Sequence, residues 1–200
     1  RGALAASYFS PGELEKAHEQ AQAAVSLCEG LPHEPRGMDV ALRILGLVNL
    51  EWGRPAEALP HLEASLASAL VRGESNSIDS SRLDLAIALA DLRRWDAAEA
   101  QLNLVLDAAR SGAPATARVR ACALSSLAAL RYDTGRGAEA LPLVEEAIAA
   151  TTGQGGDEQV GLVTMLLTRS YALRSVGRDT EALESAVRSV ELARKLYPAA

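Results

Sequence analysis

A seven-residue phrase returns five times along this chain at nearly constant spacing. It is clearest at Gly53-Arg54-Pro55-Ala56-Glu57-Ala58-Leu59, and it recurs at Gly135-Arg136-Gly137-Ala138-Glu139-Ala140-Leu141 and Gly177-Arg178-Asp179-Thr180-Glu181-Ala182-Leu183. A degraded copy runs from Arg93 to Glu99 and an early one from Gly12 to His18, so successive frames are 41, 40, 42 and 42 residues apart. A fixed period in this range is the mark of a solenoid, whose repeats pack against their neighbours and which builds an extended binding surface.

Within the period the residues point to helices. Five residues after each frame position stands an alanine: Ala17, Ala58, Ala98, Ala140 and Ala182. Four residues further come Ala21, Leu62, Leu102, Val144 and Ala186, which share the alanine's face on a helix. Upstream, Leu45, Leu85 and Leu127 lie eight residues before the frame, and the small residues Gly46, Ala86, Ala128 and Ser170 lie seven before. We therefore expect each repeat to be an antiparallel helix pair, with a small-residue notch on the first helix receiving the alanine of the second. The frame glycine ends the first helix in a left-handed turn. Where Arg93 holds that slot, a looser turn is expected.

Breakers separate the pairs at Gly30 to Gly37, Gly73 to Ser77, Ser111 to Pro114 and Thr152 to Asp157. They imply helices at about 11–29, 37–52, 55–72, 78–93, 95–110, 115–134, 137–151, 158–176 and 179–196, with residues 1–9 as the stub of another. Residues 1–200 thus read as one array: a half repeat over 1–30, then repeats near 37–73, 78–111, 115–152 and 158–197.

The notch, the glycine turn, the Gly-Arg-x-x-Glu-Ala-Leu phrase and the constant alanine together resemble tetratricopeptide repeats over about residues 10–197. The period exceeds the family's usual 34 residues by about eight, which resembles its kinesin-light-chain-like branch, found also in bacterial multidomain regulators. Pro60 and Pro142, seven residues after their frame glycines, fit that branch. The resemblance implies an all-α, right-handed α-α superhelix. Two departures stand out: the aromatic expected after Gly-Arg survives only as Trp95, and Arg169 replaces the repeat leucine, as in a modified or capping repeat. A HEAT- or armadillo-like stack has a similar period and stays open as the alternative.

Composition narrows the function. The formal charge is −6 and only two lysines occur, Lys16 and Lys195, so the basic stripe that a nucleic-acid binder needs is missing. The same charge disfavours an anionic membrane surface, and no apolar run reaches the roughly 18 residues of a spanning helix. Cys28 and Cys122 read as reduced, separate thiols. His18, His33 and His61 lack partners at ligand spacing, and Gly153-Gln154-Gly155-Gly156 lacks the strand and Lys-Ser/Thr of a phosphate loop. The expectation is no catalytic site, no cofactor and no metal. The chain starts at Arg1 with no signal peptide and reads as a fragment of a longer parent.

In the family that the sequence resembles, first helices line the concave face. Carried over, that places Arg43, Leu47 and Glu51, Asp84, Ile87 and Asp91, Ser126, Tyr132 and Asp133, and Thr168, Tyr171 and Arg174 on exposed groove positions. Such a mixture suits an extended peptide or a partner helix. Glu51, Asp91 and Asp133 could form an acidic ladder for Lys or Arg on the ligand. Equally, each could pair locally with Arg54, Arg94 or Arg136 three residues on. The reading is a non-catalytic protein-interaction module of a larger bacterial, cytoplasmic regulator. Its partner is a protein, a peptide or the output domain of its own parent. Sensing of a peptide or small ligand, and self-association through the repeat ends, are the alternatives.

Overall fold

The computed structural model of the chain describes residues 11–28, 37–110, 117–151 and 158–196. Among these, nine α-helices are formed: α1 (Pro11–Cys28), α2 (Met38–Glu51), α3 (Pro55–Arg72), α4 (Ser75–Asp91), α5 (Trp95–Arg110), α6 (Ala117–Asp133), α7 (Gly137–Thr151), α8 (Glu158–Ser175) and α9 (Asp179–Leu196). The expected breaks at 30–36, 111–114 and 152–157, the glycine run at 153–156, His33 and the stub at 1–9 lie outside the described residues. The fold divides into two compact units, residues 1–101 and 102–200, with the division inside α5.

The hairpin turns follow from backbone hydrogen bonding. At the end of α2, the Gly53 N–H donates to the Leu50 carbonyl at 2.9 Å and the Arg54 N–H reaches the Asn49 carbonyl at 2.8 Å. This crossed pair satisfies carbonyls that the helix end leaves free, and it needs a left-handed residue at its centre. Gly53 supplies that with φ 69°. The same bonds recur around Gly135 and Gly177. They also recur around Arg93, whose φ is 58°, with Arg93 N–H to Ala90 O at 2.9 Å and Arg94 N–H to Leu89 O at 2.8 Å. The looser turn expected there does not occur. Two main-chain bonds outweigh the left-handed penalty of a non-glycine residue, roughly 1–2 kcal/mol.

The buried stripe is the one the period indicates. Ala58, Ala98 and Ala140 are fully buried, as are Leu62 and Val144, and Ala182 is nearly so. The notch works differently from expectation. An added Cβ on Gly46 would sit 2.4 Å from Leu62 Cδ2, so the missing side chain makes room for that leucine. Leu62 lies one helical turn beyond Ala58 on the same face, and its longer side chain reaches the notch first. Helix α4 starts at Ser75, three residues earlier than the sequence indicated. Ser75, Asn76 and Ser77 read as loop-formers, yet such side chains are also favoured at a helix start, and the Ile78 N–H closes the first turn on the Glu74 carbonyl at 3.0 Å.

In the first unit, hydroxyls and a buried ion pair join the helices. Ser65 Oγ in α3 donates to the Asp39 carbonyl of α2 at 2.9 Å and lies 2.9 Å from Ser81 Oγ of α4. Asp39 Oδ1 meets Arg72 Nη2 at 2.6 Å. Burial works against the Asp39 charge, but hydrogen bonds from Arg72, Ser77 and the Val40 backbone outweigh it and hold the carboxyl below its usual range. In the second unit, Ser189 Oγ donates to the Val163 carbonyl at 2.8 Å. Ser65 and Ser189 both stand twelve residues after their frame glycine, so one repeat position makes the same bond in each unit.

Candidate partner-binding faces

The first helices of the first unit are α2 and α4, which pack together. Two of the candidate residues there hold each other: Arg43 Nε lies 2.5 Å from Asp84 Oδ2. Asp84, expected to be exposed, is buried. Burial pushes its carboxyl above the usual range, while the Arg43 charge and hydrogen bond act against that rise. The pair spans 41 residues, one repeat period, so Arg43 and Asp84 clamp neighbouring first helices. Around them Leu47 and Glu51 are half-buried and Asp91 is exposed. Ile87 is 41% exposed and Ile44 36%. Burial also raises the Glu51 carboxyl above its usual range.

The corresponding helices of the second unit, α6 and α8, also pack together. Here the frame positions bring tyrosines rather than charges into contact. Tyr132 and Tyr171 stack with ring centroids 5.5 Å apart and planes 18° from parallel. Tyr171 is 42% exposed. Asp133, directly after Tyr132, and Arg174, three residues after Tyr171, are exposed, and Ser126 is half-buried. Thr168, like Asp84, is buried where the sequence indicated exposure. Both stand nine residues before the frame on the later first helix of their unit, whereas the same position on the earlier first helices is the exposed Ile44 and the half-buried Ser126.

Of the local acid–arginine pairs, Arg54 turns away from Glu51. Arg54 Nη1 reaches Glu57 at 3.7 Å, and its guanidinium lies 5.2 Å from the Trp52 ring centre. Arg136 Nε donates to Thr134 Oγ1 at 3.1 Å. The three-residue link bends the chain, so Arg54 faces the helix it starts rather than the helix that Glu51 ends.

Arg169, read as the mark of a modified repeat, sits half-buried in α8. It donates to Ser185 Oγ at 2.5 Å and lies 3.4 Å from Glu145 and 3.9 Å from Glu181. The repeat leucine is replaced there by a polar junction of α7, α8 and α9. The histidines are less scattered than their sequence positions imply. The His18 ring lies 5.1 Å from Trp52. Burial and then the nearby charge of His18 push His61 below its usual value. Among the described residues no cluster of histidine, cysteine or carboxylate side chains is arranged to hold a metal ion, and Cys28 and Cys122 are free thiols. No described helix is long and apolar enough to cross a membrane.

Helical hairpins closed by glycine turns, with a constant small residue in the second helix, define the class of tetratricopeptide-type repeat folds. Comparison with known proteins agrees. Residues 119–195 match the tetratricopeptide repeat family model. No curated protein matches the sequence. Among solved structures, BtubC (BKLC) from P. vanneervenii is similar with a TM-score of 0.73 at 18% identity, covering 94% of this chain and 76% of that one. A Podosopora anserina kinesin light chain structure with nearly identical TPR-like repeats gives 0.65 at 20% identity, covering 94% and 90%. MamA gives 0.59 at 16% identity, covering 92% and 91%. At these identities the likeness concerns the fold. It bears out the all-α, kinesin-light-chain-like tetratricopeptide reading over the HEAT or armadillo alternative. Such repeat folds generally serve as protein–protein interaction scaffolds, and they are typically non-catalytic.

Proposed function

We propose that this chain is a protein-interaction module that takes an extended peptide or a partner helix on the exposed faces of its first helices. The stacked Tyr132–Tyr171 pair carries the reading. Two large aromatic rings on adjacent first helices are left partly in solvent, with exposed Asp133 directly after Tyr132 and exposed Arg174 three residues after Tyr171. Aromatic anchors beside polar groups are the usual composition of a binding hot spot. The first unit supports it with exposed Ile44 and Ile87 beside half-buried Glu51 and exposed Asp91. A ligand carrying Lys or Arg near an apolar anchor fits this chemistry. The Arg43–Asp84 pair and buried Thr168 act in this reading as supports for the face rather than as contacts.

Further parts of the reading rest on sequence alone. The frame period runs through α5 unchanged, which supports one array over residues 10–197. The Ala-, Arg- and Gly-rich, lysine-poor composition supports a bacterial source, and a cytoplasmic setting within a larger regulator is what the resemblance to regulator-associated arrays implies.

Selection of a displayed peptide library on the purified chain tests the proposal. Wild type should enrich peptides that pair Lys or Arg with an apolar or aromatic residue. A Tyr132→Ala, Tyr171→Ala double variant and an Asp91→Lys, Asp133→Lys double variant should each lose them by about tenfold or more while keeping wild-type helicity. Equal binding by both folded variants would place the site elsewhere.

A further inference from the structure

The face that α6 and α8 share in the second unit is short of hydrogen-bond acceptors and rich in unused donors. Ser125, Ala129 and Tyr132 follow one side of α6, and Leu167, Tyr171 and Arg174 follow the same side of α8, each 42 residues further on. Ser125 is buried, Ala129, Tyr132 and Leu167 are half-buried, and Tyr171 and Arg174 are exposed. None of the six is a carboxylate, an amide or a histidine. Asp133 stands about 100° round α6 from Tyr132, off this line. The phenol hydroxyls of Tyr132 and Tyr171 and the guanidinium of Arg174 make no hydrogen bond or ion pair with another described residue. Elsewhere in the unit Arg120 is held by Glu146, Arg169 by Glu145 and Arg178 by Glu181. The stacked rings, with centroids 5.5 Å apart, cover one face of each other, so the exposed part of Tyr171 is its far face and edge.

These properties choose among ligands. An ordinary extended peptide brings an N–H for every carbonyl, and beside Arg174 such an N–H finds no acceptor. A partner helix has already paired its backbone internally and gains little from free donors. A carboxylate-rich segment could use the donors, but it would approach a chain of net charge −6 with exposed Asp133 directly after the tyrosine. A proline segment has carbonyls, no N–H and no charge. In the polyproline II form its carbonyls are unbonded and face outward, and such segments dock on aromatic surfaces.

We infer that the Tyr132–Tyr171 face binds a proline-rich segment of a partner protein in the polyproline II form, with prolines on Tyr171 and carbonyls accepting from the two phenols and Arg174. The inference rests on the proposed reading of this face as a partner site, and it names the partner's chemistry. A Lys or Arg flanking the prolines suits Asp133, which joins the two preferences.

NMR titration of the purified, isotope-labelled chain is the test, with decaproline and with Gly-Ser and Glu-Ala alternating peptides of the same length as controls. Decaproline should saturate, shift the Tyr132 and Tyr171 ring signals, and bind about tenfold or more tightly than either control. Tyr132→Phe with Tyr171→Phe keeps the rings and removes both hydroxyls, and should weaken binding about tenfold. Tyr171→Ala should remove saturable binding, with circular dichroism checking that each variant is folded. Tighter binding of the Glu-Ala peptide, no saturation by decaproline, or decaproline binding that the Phe pair leaves unchanged would each overturn the inference. If decaproline fails while library-selected peptides bind and are lost with Tyr132→Ala, Tyr171→Ala, the partner face stands and the proline assignment alone falls. If the selected peptides ignore that variant too, the reading of the face falls with it.

Discussion

The first-helix faces of the two units use the same repeat positions for opposite ends. In the first unit, ten and nine residues before their frames, Arg43 and Asp84 meet and seal the junction of α2 with α4. In the second unit the corresponding positions on α6 and α8 are Ser125 and Thr168, both buried and uncharged. Contact between the helices there includes Tyr132 and Tyr171, nearer the helix ends and partly in solvent. One face is held by charge withdrawn from water, the other by aromatic rings left within reach of it. A buried ion pair is costly to break but gives a ligand little to grip. An exposed stack adds modest stability and much recognition surface. Stability and recognition can therefore be allotted differently in repeats of one design.

The comparison can be broken most severely at the buried charges of the first unit. Arg72→Ala would leave Asp39 buried without its cation and should cost about 3 kcal/mol, read from denaturant unfolding of the whole chain. Arg43→Ala acts the same way on Asp84. Its effect should be smaller, about 1–2 kcal/mol, because a third of the Arg43 side chain is already in water.

Acid titration sharpens the contrast between these two carboxylates. Asp39 is held below its ordinary 3.8, so its contribution is present above about pH 4 and is lost as pH falls through the depressed value. Asp84 is raised above 3.8, so its contribution is present below the ordinary value and is lost as pH rises through the elevated one. Unfolding free energies from pH 3 to 6 should therefore show Asp39→Asn falling further behind wild type as pH rises. Asp84→Asn should gain on wild type over the same window.

Two smaller effects mark the other side. Arg93→Gly should stabilise by about 1 kcal/mol, by removing a left-handed non-glycine residue from a turn whose hydrogen bonds it keeps. Tyr171→Ala should cost stability no more than about 1 kcal/mol, while peptide binding on that face is lost. A large stability loss on Tyr171→Ala would mean that the stack is structural and that the two faces do not divide the work.

Much of this was legible in the sequence because it depends on period alone. Helix boundaries fall within three residues of expectation, and the constant alanines are buried in all described repeats except the first, where Ala17 is half-buried. Facing is set by the 3.6-residue turn, which local sequence reveals. Depth is set by what the neighbouring repeat places opposite, and a residue does not carry that information itself. So Asp84 and Thr168 could be assigned to the first-helix face but not to its buried edge. The signal for the clamp was present as an arginine and an aspartate 41 residues apart, which is one repeat length. A search for opposite charges at the period would have found it. The Tyr132–Tyr171 stack was visible as two aromatics on one face, though their contact was not.

The turns around Gly53, Arg93, Gly135 and Gly177 share one set of main-chain bonds and a left-handed centre, although one of the four centres is an arginine. Such a joint is specified by how many residues it contains more than by which ones. Over generations, single substitutions at it can accumulate as tolerable losses. An insertion or deletion there would rotate every residue that follows in its helix and misdirect an entire face at one stroke. The lineage of such a chain can forget the spelling of its repeat long before it can change the meter.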